Sequence, residues 1–311
     1  MTAAMDDQLG FAPDDDVPIP YMARTREYYQ AIGYTTPYRW AHHVDAPFQP
    51  LQQPLARSRV AIVTTAAPFD PAKGDQGPGA EYNGSAKFYS VYDGDSFGAH
   101  DLRISHIAYD RVHTSAEDSG SWFPLPQLRR LAGDGRIGEV APRFFGAPTN
   151  RSQRVTVETD APEILARCRA DQVDAAVLVP NCPVCHQTIA LVARHLEAGG
   201  IATVVMGCAK DIVEHAGVPR FLFSDFPLGN SAGKPHDPAS QAMTLELALR
   251  VLETAPAPRT TVQSPQRWST EASWKRDYNN VAHLGDEELA RRRREFDAQK
   301  EIARGLRVPA A

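Results

Sequence analysis

Hydrophobic positions fall into short runs separated by polar, glycine- and proline-rich stretches. The first strong run, Arg59-Val-Ala-Ile-Val-Thr-Thr65, is apolar and β-branched and predicts a buried parallel strand. Ala66 to Gly84, rich in Gly, Pro and Ala, reads as a loop at that strand's carboxyl end. Leu102-Arg-Ile-Ser-His106 alternates like a second strand, and Leu125 to Leu131 predicts a short helix stopped by Gly133 and Gly135. Val140 to Phe145 predicts a third strand, leading into a Gly146–Asn150 turn.

The second half is more regular. Ala161 to Cys168 predicts a helix, with Asp160 as its N-cap and Pro162 in the first turn. Asp174-Ala-Ala-Val-Leu-Val179 reads as a buried strand. Cys185 to Ala198 reads as an amphipathic helix with Ile189, Val192, Ala193 and Leu196 on one face, closed by Gly199-Gly200. Ile201 to Met206 (strand), Lys210 to His215 (helix), Arg220 to Phe223 (strand) and Ala239 to Glu253 (helix) complete the pattern.

This alternation predicts an α/β fold: two Rossmann-like parallel-sheet units with helices on both faces, plus extended N- and C-terminal arms. The divisions expected are an N-terminal arm over residues 1–58, a first α/β unit over 59–155, a second over 156–255 carrying the Cys-x-x-Cys turn, and a C-terminal helical arm over 256–311. Arg24 to Ile32 predicts a short helix in the first arm. Asp286 to Arg304 predicts a charged one in the last, where Arg291-Arg-Arg-Arg294 marks a solvated face. The arms hold Tyr28, Tyr29, Tyr34, Tyr38, Trp40, Trp268, Trp274 and Tyr278 without the periodicity to bury them locally. Such large rings need cover, and a homodimer or higher homo-oligomer wrapped by its arms is the expectation.

Composition narrows the class. Of 311 residues, 42% are hydrophobic and 23% charged, enough for a full core. A formal net charge of −5 argues against a nucleic-acid partner, since phosphate binding needs a basic face. No apolar run approaches the ~18 residues of a membrane span. Met1-Thr-Ala-Ala-Met-Asp-Asp lacks the basic and apolar regions of a secretory signal, so a cytoplasmic location is expected. Four cysteines (Cys168, Cys182, Cys185, Cys208) make no disulfide scaffold, and in a reducing compartment a close pair reads as catalytic or metal-binding.

Candidate chemistry centres on Val179-Pro-Asn-Cys-Pro-Val-Cys-His186. With a strand before it and a helix after it, the turn sits where open α/β sheets bind ligands. A thiol near a helix N-terminus has its thiolate stabilised. Cys182 is then the nucleophile, and Cys185 the resolving thiol or second sulfur ligand. His106 or His186 would move protons. Thr64, Thr65 and Arg103 would hold an anion, and Asp110, His113 and Asn230 complete the candidate substrate-binding set. Other readings stay open. The spacing matches haem attachment, which normally requires export. A structural zinc site would want a second paired cluster. A transition-metal or zinc ion could be held by Cys182, Cys185 and His186, with His106 and His113 also able to converge. Inert, buried thiols are the remaining alternative, against which Pro183 and the polar flanks speak. No Gly-x-Gly-x-x-Gly, Gly-Lys-Ser/Thr or Gly-x-Ser-x-Gly motif supports a Rossmann dinucleotide site, an NTPase or a hydrolase elbow.

One ordered set of segments carries a resemblance: Pro37-Tyr-Arg-Trp-Ala41, Ala61–Thr65, Asp101–His106 with Tyr109-Asp110, Phe123-Pro-Leu with Leu128–Leu131, Gly135–Gly138, Ala141–Phe144, Cys182–Thr188 and Phe226–Asn230. Over about residues 37 to 255, the chain resembles the selenoprotein B family of glycine, sarcosine, betaine and D-proline reductases. The resemblance implies thiol-driven reductive or nucleophilic cleavage of a carbon–heteroatom bond in a small, polar, carboxylate-bearing compound. It also implies an external thiol or dithiol reductant and partner reductase subunits. The family's selenocysteine is replaced here by cysteine, with Cys182 the counterpart. A non-catalytic subunit or binding protein that retains the fold is the rival from another class. The twin α/β layout also resembles the aspartate/glutamate racemase architecture, a likeness of fold alone.

Overall fold

The computed structural model describes residues 16–75, 77, 80–149 and 152–305; the Met1–Asp7 stretch, Asn150 and residues 306–311 lie outside these. In chain order its first half comprises α1 (Tyr21–Ala31), β1 (Arg59–Thr64), β2 (Ala67–Pro68), β3 (Tyr92–Asp95), β4 (Leu102–Arg103), α2 (Leu125–Gly133), β5 (Glu139–Val140) and β6 (Arg143–Gly146). The second half follows with α3 (Ala161–Ala170), β7 (Ala175–Val179), α4 (Pro183–Ala198), β8 (Ala202–Gly207), α5 (Lys210–Ala216), β9 (Arg220–Phe223), α6 (Pro238–Thr254), β10 (Thr260–Gln263) and α7 (Asp286–Gly305).

The α/β class holds, but the two expected units share a single sheet. Its order is β10-β9-β8-β7-β1-β6-β3, with β5 also pairing with β1. β1 of the first half lies parallel to β7 of the second, in register from Val60↔Ala175 to Thr64↔Val179. Only the edge pair β3–β6 runs antiparallel within this sheet. Alternation along β1 explains the two faces. Val60 and Ile62 join α2 and α6 in one apolar layer, while Ala61 and Val63 join α3, α4 and α5 in the other. The strands are therefore buried on both sides and read as continuous apolar runs rather than alternating ones.

Several expectations change. Leu102–His106 contributes only the two residues of β4, which pairs antiparallel with β2 outside the main sheet. Asp160 does not open α3: a helical turn at Gln153–Val155 and a π-helical stretch at Thr156–Asp160 run straight into it, and the Ser152 side chain accepts from Val155 N at the true start. β10 falls inside the expected C-terminal arm and forms the sheet's edge. The arms themselves pack on their own chain. Ile19 and Tyr21 join Cys208, Ile212, Phe226, Trp274 and Tyr278 in one buried cluster. Tyr29 and Tyr34 meet Phe296 of α7 edge-on, at 5.4 and 5.2 Å. The chain's own two ends thus bury Trp274 and Tyr278 and partly cover the other arm aromatics. Among the described residues, no helix is long and apolar enough to cross a membrane.

One buried ion pair fastens the N-terminal segment to the sheet. Arg220 Nη1 lies 2.6 Å from Glu197 Oε1, with side chains 2% and 0% exposed. Glu197 also accepts from the Thr203 amide and hydroxyl, while Arg220 donates to Gln49 O and lies 4.1 Å from the Phe48 ring. Removing one partner strands a buried charge. Glu197→Ala is therefore expected to lower unfolding free energy by about 3–5 kcal/mol in urea melts. The double replacement Glu197→Leu/Arg220→Met should recover most of that loss, because it leaves no charge uncompensated.

Candidate active site

The order of the sheet creates the site. From β1 the chain moves to β5 and β6 on one side; from β7 it moves to β8 on the other. Crossovers that diverge in this way leave a crevice at the strands' carboxyl ends, where open α/β sheets bind ligands. Thr64-Thr65 ends β1, and Pro180-Asn-Cys182 follows β7, so both fall at this crevice.

Cys182 is the N-cap of α4, with Pro183 at the first helical position. Its Sγ accepts from the Cys185 amide at 3.2 Å, so the sulfur lies among the unsatisfied N–H groups of a 16-residue helix. The Cys182 and Cys185 sulfurs are in disulfide contact, their Cα atoms 4.9 Å apart. The Thr149 hydroxyl donates to Cys185 Sγ at 3.6 Å. Tyr38 and Trp40, from the segment before β1, pack over the pair.

His106 completes the cluster. One ligand atom from each of His106, Cys182 and Cys185 lies within 4.8 Å of the others, and all three residues are buried. His106 Nε2 stands 2.8 Å from Thr65 O. A carbonyl can only accept, so Nε2 carries the proton and Nδ1 keeps the lone pair. Burial, with Lys87 and Arg111 nearby, pushes the His106 ring down to about 4 and keeps it neutral. Arg111 fixes the segment by donating to His106 O and Ile107 O at 2.9 and 2.7 Å.

His186, placed by sequence beside the sulfurs, serves elsewhere. The Cys208 amide donates to its Nε2 at 2.9 Å, so Nδ1 bears the proton and donates to Cys182 O at 2.7 Å. Both ring nitrogens are thereby spent bracing the thiol turn against the end of β8. Gly207 makes room for the ring: a Cβ there would lie 2.8 Å from it.

The remaining candidates divide. The Thr64 hydroxyl accepts from Ala66 N and that of Thr65 from Asn181 N, so both bind the main chain that shapes the crevice. Arg103 lies apart, paired with Asp101 and 4.6 Å from the Phe69 ring. Asp110 accepts from the Val112 and His113 amides and pairs with His113 Nδ1 at 2.9 Å, while His113 Nε2 reaches Asp277 at 3.3 Å. Asn230 spends its amide on Pro227 O and the Thr114 hydroxyl. Two residues that sequence reasoning passed over belong here. Lys87 lines the same cleft as His106 and Cys182. Asn181 is fully buried, and neither polar atom of its amide has a hydrogen-bond partner. An unmade bond of that kind costs ~1–3 kcal/mol. Asn181 is legible only as the polar residue between a strand end and the first thiol.

The cleft has a volume of about 1410 Å³, above the roughly 300–1,000 Å³ of most small-molecule sites. Cys182, Pro183 and Val184 line it together with residues of α1 and α7.

With this geometry in place, the likenesses to known proteins can be located. A family model described as glycine/sarcosine/betaine reductase selenoprotein B matches residues 30–181. The D-proline reductase subunit gamma of Acetoanaerobium sticklandii is 29% identical over 223 residues, which is 70% of this chain and 88% of that protein. The glycine reductase complex component B subunit gamma of Symbiobacterium thermophilum is 23% identical, over 72% of this chain and 52% of its own length. That of Peptoclostridium litorale is 27% identical, over 64% of this chain and 46% of its own. Over residues 30–181, just under half of its length, the chain is thus similar to the selenoprotein B family. It spans most of the D-proline reductase subunit but about half of the glycine reductase subunits. No solved structure matches significantly.

Within the selenoprotein B match lie Tyr38 and Trp40, the Thr64-Thr65 strand end, and His106; the match stops one residue short of Cys182. The later Phe226–Asn230 segment is tied to it where the Asp110 amide donates to Leu228 O at 2.9 Å.

The two buried histidines make stability depend on pH. Burial holds both near 4, against an ordinary 6.5. Unfolded, they take up protons below about 6.5; folded, only near 4. The unfolded state therefore binds more protons within that window, and stability falls as pH is lowered through it, by up to about 3 kcal/mol for each ring. Urea midpoints measured from pH 7 to 4 are expected to show this slope, and His106→Gln should flatten part of it.

Proposed function

We propose that this chain is the thiol-bearing subunit of a reductase complex that cleaves a carbon–heteroatom bond in a small, polar, carboxylate-bearing substrate, with Cys182 as nucleophile. The observation that carries this reading is the placing of the Cys182 sulfur. It caps a helix at the sheet's crevice, borders the cleft, and has Cys185 Sγ in contact behind it. The relatives named as subunits of D-proline and glycine reductases support the reaction class and the presence of partner subunits.

The chemistry balances in three steps. The Cys182 thiolate attacks the carbon bearing the heteroatom, forming a carbon–sulfur bond, and the leaving group departs with a proton. The Cys185 thiolate then attacks the Cys182 sulfur and forms the disulfide. The substrate carbon leaves with the electron pair of the carbon–sulfur bond and takes up a proton. Expelling a carbanion demands stabilisation, which favours a carbon next to a carboxyl or other carbonyl. An external dithiol reduces the disulfide with two electrons and two protons, a supply that suits a reducing cytoplasm. His106, neutral and with Nδ1 bare, accepts a hydrogen bond from the thiol while the thiol proton passes to solvent through the cleft, and Lys87, which lines the same cleft, pairs with the substrate carboxylate.

Alkylation of the reduced full-length chain, followed by mass spectrometry across pH, tests this. Cys182 should react first, with a thiolate pKa below the free-cysteine value of about 8.5. Cys168 and Cys208, whose thiols burial pushes up to about 12, should lag. Equal, slow labelling of all four would overturn the reading. Cys182→Ser should reduce dithiol-dependent consumption of α-amino-acid substrates to background with the fold intact.

A further inference from the structure

Cys182, Cys185 and His106 together have a property that the reductase reading does not use. The geometry points to a thiophilic metal site, formed by Cys182 Sγ, Cys185 Sγ and His106 Nδ1 in the reduced protein, that takes zinc and is dismantled when the two sulfurs join. The His106 ring is already held as a metal ligand would be. Its Nε2–H donates to the Thr65 carbonyl, an anchoring bond that fixes ring orientation and leaves Nδ1 as the donor. One ligand atom from each of the three residues lies within 4.8 Å of the others, on buried side chains, and Nδ1 is the ring nitrogen left free to ligate. Two soft thiolates with one imidazole suit Zn²⁺ or Co²⁺ and disfavour Mg²⁺ and Ca²⁺. His106 and Cys182 both border the cleft, so a fourth, open position would face solvent or substrate. His186, the ligand suggested by adjacency in sequence, has both nitrogens committed and takes no part.

The equilibrium is explicit. Two thiols and one neutral imidazole bind M²⁺ and release two protons; a two-electron oxidant of the disulfide or peroxide class converts the pair to a disulfide and frees the ion. Metal and substrate would compete for Cys182, so the ion protects the thiols from oxidation and alkylation.

The test uses the full-length chain, purified without an affinity tag, reduced with a phosphine and titrated anaerobically with Co²⁺ and then Zn²⁺. The expected result is one Co²⁺ per chain, with thiolate-to-cobalt charge-transfer absorption that one equivalent of Zn²⁺ abolishes. Cys182→Ser and Cys185→Ser should each weaken that absorption, and the Cys168→Ser/Cys208→Ser double variant should keep it. His106→Gln should raise the Zn²⁺ Kd at least about tenfold, no less than the loss of an outer-shell partner. Wild-type protein oxidised to the disulfide should bind no ion at this site, a comparison that needs no substitution and so stands if a variant fails to fold. No absorption in the reduced protein, absorption that survives oxidation, or an unchanged Kd in folded His106→Gln would each overturn the site. Turnover is not read, so failure here leaves the reductase proposal standing, and metal binding does not establish it.

Discussion

The pairing of β1 with β7 is the constraint on which the rest of this molecule depends. These strands come from opposite halves of the chain, yet they form the centre of one parallel sheet with Thr64 opposite Val179. Their crossovers leave in opposite directions, and the chain on either side must splay apart. The thiol pair and His106 collect in that opening. The Thr65 hydroxyl accepts from the Asn181 main-chain N–H across the gap, and the Thr65 carbonyl anchors His106. A single register therefore sets the distance between a histidine and two thiols that lie about seventy-five residues further along.

Supports converge on the thiol turn from several sides. His186 braces it from below against β8, Thr149 touches Cys185, and Tyr38 and Trp40 cover it from the N-terminal segment. That segment is held by the buried Glu197–Arg220 pair, which ties residues 48 and 49 to α4 and β9. The site is thus tied to the sheet by buried hydrogen bonds and packing. Its outer wall is different in kind: α7 buries none of its residues fully and binds through charged and aromatic side chains such as Arg293 and Phe296. The crevice thus has the thiol turn on its sheet side and charged and aromatic side chains of the two terminal segments opposite it.

Kinship and geometry contribute different parts of the functional picture. The family match covers the cradle, from the aromatic segment through His106, and ends before the thiols. The helix cap and the buried imidazole are properties of this chain's own structure. Together they set a helix-capping sulfur against a second sulfur, with a neutral imidazole beside them. The proposed thiol chemistry and the proposed metal site both rest on that arrangement.

The sequence by itself determined the α/β class, most strand and helix positions, and the thiol turn. A fully buried strand such as Ala175–Val179 must be apolar along its whole length, and α4 must be capped, so their signals are local. Edge elements were illegible for the same reason. Tyr92–Asp95 and Thr260–Gln263 are exposed enough to be polar, and they become strands only because a neighbour offers its hydrogen bonds. What only the tertiary structure decided was partnership. Adjacency in sequence put His186 with the sulfurs and Arg103 with the anion. Helical geometry instead turned His186 toward Gly207, and the pairing of β4 with β2 carried Arg103 away. Which histidine meets Cys182 is fixed by strand order and crossover direction, and these arise from the packing of whole layers rather than from any local run of residues.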